Sequence, residues 1–349
     1  MLKTILFVFF AKLFFKLQAT AIAFVHLGET VPSCIFVTIK QARHLNPEQD
    51  IYLLTDHEGY ISCSQEGRDF FEREHLHLVD MSQIPCSFLH KKFHEVNAMV
   101  DIANAKYWTY TSQRFFVLYD FLEEKGLREV IHLENDCMLY VDIEELLPIF
   151  RKQEVFLAAP FTSLKGCIPC FMFIRQARDL TFLLEHILDS MEEFKGENPS
   201  IVVNDMATLA SFYRKKGDGY LQPLPTLMQT YPKRCLQRKS LFFQDNRTSI
   251  DFLFKYASTY DPYLFDAATL GIYIGGSGDS RGPGSIYWRS LFNPKDFSFY
   301  WGMDKEGKNV PYLSFAGVDY RVVNLHFYCK KPQQHASFSL PLGNFPIGR

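Results

Sequence analysis

The sequence predicts an α/β fold: a mixed, mostly parallel sheet flanked by helices in a single large domain. Three observations carry that prediction. Short apolar runs that stop on a glycine or an acid, Ala21 to Gly28 and Asp50 to Asp56, are separated by a helical stretch, giving the strand, helix, strand tempo of a parallel sheet. The 349 residues are 47% apolar, with 34 Phe and 18 Tyr, which is enough material for a large core and argues against disorder. No internal repeat or low-complexity linker divides the chain.

Taken in order, residues 1–23 open with Met1-Leu2-Lys3 and a greasy run from Ile5 to Phe10, interrupted by Lys12 and Lys16. A signal peptide, a membrane-surface or anchoring helix and a buried extension all fit, and Ala19-Thr20-Ala21 supplies an A-x-A cleavage pattern. Two lysines inside the run weigh against an uninterrupted transmembrane span. The folded domain covers 24–335, with a tail over 336–349. Pro32 to Ala42 forms a helix with Ile35, Phe36 and Ile39 on one side, and Leu76 to Asp80 a third strand. Residues 85–107 are polar and irregular, and read as a loop whose Lys91, Lys92 and His94 either face an anion or are simply solvated.

Thr111 to Glu124 is helical, with Phe115, Leu118, Tyr119 and Leu122 at spacings of three and four, and Gly126 closes it. Val155 to Pro160 and Phe171 to Ile174 are core strands, and Thr181 to Phe194 is an amphipathic helix. A further helix begins near Asn204-Asp205, where acidic side chains suit the first turn. The pattern weakens from Pro223 to Phe254, and the glycine-rich segment from Phe265 to Asp279 reads as an exposed loop shaping a sugar or acceptor pocket.

Charge and cysteines exclude several classes of function. A net charge of −2 gives no global field for nucleic acid or acidic lipid, so an anionic ligand has to be met by local cations or a metal. The eight cysteines are scattered without framework spacing, and Cys167-Ile168-Pro169-Cys170 is a lone C-x-x-C with no second pair at zinc distance.

The chemistry centres on Val130 to Asp142, where an apolar run surfaces into Glu134-Asn135-Asp136. In extended chain, residues two apart share a face, so the two carboxylates would converge on a cation. A hard divalent metal, Mg²⁺ or Mn²⁺, suits such oxygen ligands and is often shared with phosphates. A solvated acidic turn is the plain alternative. Ligands in open α/β sheets gather at the carboxyl ends of strands, which places Gly28 and Asp56 near the same rim. Arg114, early in its helix, either projects there or is an ordinary surface residue. Near the C-terminus, His326 follows an apolar strand and can complete a mixed oxygen and nitrogen shell, with Lys330 or Lys331 free to neutralise a phosphate.

From Phe24 to Lys331 these pieces, in this order and separation, resemble the GT-A class of nucleotide-sugar-dependent glycosyltransferases. The resemblance implies the Rossmann-like GT-A fold and a divalent cofactor, Mn²⁺ or Mg²⁺, held against the diphosphate of a nucleotide-sugar, UDP-sugar first. That family's Asp-x-Asp motif appears here as Glu134-Asn135-Asp136, making Asp136 the main metal ligand and Glu134 a metal or ribose contact. His326 is similar to the C-terminal histidine ligand of glycogenin-like transferases, and Lys330 to the lysine on the diphosphate, although the glycine usual between them is missing. The implied partners are a nucleotide-sugar donor and a glycan, lipid or protein acceptor. An inverting reaction also needs a base at the acceptor hydroxyl, for which Asp205 is the first candidate and Asp266 the second; with retention, either would orient the acceptor. A catalytically silent carbohydrate-binding protein on the same fold and a two-carboxylate glycoside hydrolase are the competing readings. Membrane association through 1–23, at the cytoplasmic face or in a Golgi-type lumen, is the expected location, and Asn246-Arg247-Thr248 is a glycosylation sequon.

Overall fold

The first apolar run becomes an interior strand. β1 (Ala21–His26) is buried at every residue but His26 and pairs in parallel with β2 (Asp50–Thr55) on one side and β4 (Arg128–Leu133) on the other. A strand covered on both faces reads as a continuous apolar run instead of alternating. The structure is a computed structural model that describes residues 20–63, 65–97, 105–197, 204–232, 251–276, 284, 292–327, 332–339 and 343–344.

α1 (Ser33–Leu45) starts after Pro32 and buries Ile35, Ile39 and Ala42, a stripe at helical spacing, running past its expected end at Ala42. β3 (His77–Asp80) extends the parallel sheet beyond β2, as the sequence predicts. On the far side lie β6 (Leu157–Ser163), β7 (Gly166–Cys167), β8 (Phe171–Gln176) and β9 (Leu221–Leu224). The sheet order is β3-β2-β1-β4-β8-β6-β7, with β9 parallel to β6. β8 runs antiparallel to both β4 and β6, so the sheet is parallel on one side of β4 and mixed on the other.

The two faces of β1 feed separate cores. Ile22 and Phe24 lie with Ile35 and Ile39 of α1, whereas Ala21, Ala23 and Val25 share a cluster with α2 (Phe88–Asn97), α3 (Ala105–Lys125) and α4 (Ala177–Glu197). α3 ends at Gly126, whose φ of +62° is the left-handed conformation that suits glycine at a helix end. α5 (Asp205–Lys216) is capped by Asn204, whose side chain accepts from the N–H groups of Met206 and Ala207.

Two sequence expectations fail here. Within the 85–107 stretch, residues 88–97 are not a loop: α2 occupies Phe88–Asn97 and buries His90, Phe93 and Val96 at spacings of three. The polar His90 inside that stripe, with Lys91 and Lys92 beside it, hid the period. The stretch from Phe265 is not an exposed loop either. β10 (Tyr263–Leu264) leads into α6 (Leu270–Gly275), and Phe265, Asp266, Ala267, Leu270, Ile272 and Ile274 are all buried; small residues there allow close packing. Ser277 and Gly278 lie outside the described residues.

A second sheet combines β10 with β11 (Ser298–Met303), β12 (Asn309–Phe315), β13 (Val318–Val322) and β15 (Gly343–Asn344), in the order β10-β13-β12-β11-β15. Between the two sheets, β5 (Cys137–Leu139) pairs antiparallel with β14 (Asn324–His326). Ser337 donates its N–H to Gln41 on α1, so residues just past 335 rest against the domain. No helix among the described residues is long and apolar enough to cross a membrane, and residues 1–19 lie outside the described residues.

Candidate functional site

The acidic stretch leaves the sheet at the carboxyl end of β4. It is a turn and not extended chain: the N–H of Glu134 bonds to Cys170 O and that of Cys137 to Glu134 O, both at 3.0 Å. The carboxylates converge nonetheless, because His326 is brought to them. In the β5–β14 ladder His326 stands opposite Cys137, and the Phe327 N–H donates to Asp136 O at 2.9 Å. The His326 Nε2 then lies 2.9 Å from Asp136 Oδ1 and 3.3 Å from Glu134 Oε2. One ligand atom from each of the three residues falls within 4.8 Å of the others.

Two further charges close the cluster. Arg114 on α3 is buried, not a surface residue, and bridges Glu134 Oε1 and Asp205 Oδ2, each at 2.5 Å. Burial pushes the Asp205 carboxyl up to about 6, against the pull of the Arg114 guanidinium. For His326, burial alone would lower the pKa, but the Asp136 and Glu134 carboxylates outweigh it and hold the imidazole well above its usual value. Burial raises Asp136 and the His326 charge and hydrogen bond more than reverse that, leaving it below the usual carboxylate range. Two carboxylates and an imidazole form a donor set that fits Mn²⁺ better than Mg²⁺, which prefers oxygen alone.

The residues behind these ligands are mostly backbone clamps. Asp266 Oδ1 accepts from the N–H groups of Thr269 and Leu270, and Oδ2 from those of Gly271 and His326, at 2.7–3.0 Å. With both oxygens engaged and the residue 1% exposed, Asp266 has no lone pair facing an acceptor. Asp266, the second candidate base, thus meets the backbone of His326. Asn324 supports the same corner, donating to Asp266 O at 3.1 Å. Gly271 is required for a different reason: a Cβ there would stand 2.1 Å from His326 O.

Asp205 is likewise committed, to Arg114 and to its own helix through the Met206 N–H. At the carboxyl ends of β1 and β2, Asp56 accepts from Gly28 N at 2.8 Å and Gly59 N at 2.9 Å, and Gly28 takes a φ of +128° that disfavours other residues. Thus Gly28 and Asp56 are joined to each other. They belong to the rim of the acidic turn because His26, just before, has its Nδ1 3.1 Å from Asn135 Nδ2, while Nε2 donates to Thr30 O. Thr38 on α1 fixes the turn from beneath, donating to Asn135 O at 2.8 Å. Beneath Glu134, fully buried His132 is held neutral, desolvation driving it down to about 3.

Sequence reasoning had no signal for Thr38 or Asn324, which act through hydrogen bonds to backbone of distant segments, or for Gly271, which acts by lacking a side chain. Cys167 and Cys170 are buried and free, and burial pushes both thiols well up, the opposite of a redox pair. Lys330 and Lys331 lie outside the described residues, as does the 246–248 sequon.

No family model matches the chain, and no curated protein matches it. Among solved structures it is similar to mouse xyloside xylosyltransferase 1 in its apo form, at 12% identity and a TM-score of 0.40, covering 59% of this chain and 85% of that one. It is also similar to the PaToxG glycosyltransferase, at 9% identity and 0.39 over 57% and 69%. A third is galactosyltransferase LgtC in complex with donor and acceptor sugar analogues, at 12% and 0.38 over 59% and 73%. Likeness at this level leaves the chemistry to be read from this chain's own residues.

Proposed function

We propose that this chain is a metal-dependent glycosyltransferase that moves a sugar from a nucleotide-sugar, UDP-sugar first, to a hydroxyl of a glycan, lipid or protein. The observation that carries the reading is the convergence of Glu134, Asp136 and His326 at the carboxyl edge of the sheet, from chain positions that only folding brings together. A divalent ion held by these three would supply Lewis-acid stabilisation of a departing diphosphate. The chain's own residues do the rest. Arg114 neutralises and aims Glu134, Asp266 holds the His326 backbone, and the Asp56 clamp keeps Gly28 open at the neighbouring strand end. Lys330 would meet the diphosphate.

Both carboxylates proposed as a base are engaged, Asp205 by Arg114 and Asp266 by backbone N–H groups. That favours a reaction in which neither takes the acceptor proton, with Asp205 serving to hold Arg114. It also supports the second reading, a protein that binds donor without transfer.

A donor screen with several nucleotide sugars, with and without Mn²⁺, tests both. We expect Mn²⁺-dependent UDP binding, and Asp136→Asn should weaken it and any transfer by at least about 100-fold. Full metal-dependent activity in that variant would overturn the site. Metal-dependent binding with no transfer to any acceptor would select the silent reading.

A further inference from the structure

A second cluster lies away from the acidic turn, on the helix that the sequence concealed. We propose that Cys86, His90 and His94 form a zinc site with three protein ligands and one position open. One ligand atom from each lies within 4.8 Å of the others. His90 and His94 are four apart on α2, the spacing that sets two side chains over one another on a helix face, and their rings stack at 4.7 Å with 21° between planes. Cys86 sits just before the helix start, where Ser87 Oγ accepts the His90 N–H.

The neighbouring helix supplies what a metal-binding histidine needs. Asp120 on α3 accepts from His90 Nδ1 at 2.6 Å, and this carboxylate to histidine bond fixes the tautomer with the lone pair on Nε2. Gln113 Nε2 lies 3.2 Å from that Nε2 and marks it as the acceptor nitrogen, a contact that zinc would replace. The Cys86 thiol is pushed up by burial and then by the Asp120 charge, so zinc would have to displace its proton.

Tetrahedral zinc, with bonds of about 2.0–2.3 Å, separates its ligands by roughly 3.3–3.6 Å. A contraction of about 1 Å is within reach of side chains that, like Cys86 and His94, are only partly covered. Thiolate and imidazole make this a soft site, distinct in preference from the oxygen-rich one. Three protein ligands are the pattern of sites that keep a place for water or an exogenous ligand.

The test uses the full chain, stripped of metal and titrated with Co²⁺ as the optical stand-in for zinc. We expect a thiolate-to-cobalt charge-transfer band at one equivalent, displaced by Zn²⁺, lost in Cys86→Ser and retained in Asp136→Asn. His94→Gln should lower Zn²⁺ affinity by at least about 10-fold, and Asp120→Asn, which disturbs only a positioning residue, by about 10–100-fold. Apo variants with unchanged thermal transitions show that these losses are not unfolding. Absence of the band in the wild-type chain, or its persistence in Cys86→Ser, overturns the proposal.

Discussion

The two clusters are built in opposite ways. Cys86, His90 and His94 sit within three turns of chain, and one helix with its lead-in sets their spacing. Glu134, Asp136 and His326 are assembled from positions far apart in sequence, held together by the β5–β14 ladder, the Phe327 N–H on Asp136 O and the Asp266 clamp. A local site inherits its geometry from the helix period. An assembled site depends on every tertiary contact that docks its last member. α3 touches both through different residues, meeting His90 through Asp120 and Glu134 through Arg114.

Three changes sharpen that contrast. The largest effect is expected from Arg114→Met, which leaves Glu134 and Asp205 without their shared cation in a buried setting. Removing one partner of a buried pair costs about 3–5 kcal/mol, and protonation of Asp205 should keep the loss near the lower bound. A urea midpoint lowered accordingly, with the Cys86 cobalt band intact in the folded variant, would support separate construction. An unchanged midpoint would remove the charge network from the account.

Gly271→Ala comes next. The added methyl meets the backbone of His326 and not a movable side chain, so overpacking of about 1–3 kcal/mol is expected. Mn²⁺ affinity should fall with it while the local cluster is spared. Equal weakening at both clusters would break the comparison.

The smallest effect concerns acid. Desolvation lowers buried His335, stacked on Phe327 beside the assembled site, to about 4. An unfolded histidine titrates near 6.5, so between 6.5 and 4 the unfolded chain binds more protons, and stability falls as pH falls through that window. It is fully present above 6.5. His335→Gln should flatten this slope in urea titrations from pH 7 to 4, and an unaltered slope would assign it to other groups, His132 first.

How much of this was legible in the sequence follows from the same distinction. The strands β1, β2 and β4 announced themselves because buried parallel strands are continuously apolar. Glu134 and Asp136 are visible as a pair, but they lie in a turn and not in an alternating strand, and His326 completes the convergence. Asp266 was noticed for its carboxylate, but its partners are backbone N–H groups, which carry no residue code. Arg114 was placed at the rim by helix position alone, and its burial between two acids is a tertiary fact. The Cys86, His90 and His94 spacing stands in plain view, but polar neighbours hide the helix that gives it meaning. A histidine on the buried face of a helix breaks an apolar count without breaking the helix.

The pairing of residues 324–326 with 137–139 also sets an order of events. A chain made from its N-terminus has both acids of the turn in place long before the strand that bears His326 exists. Contacts between such distant segments close late, after most of the loop entropy between them has been lost. Any product ending ahead of Asn324 therefore carries the acidic turn without the histidine that folding sets against it.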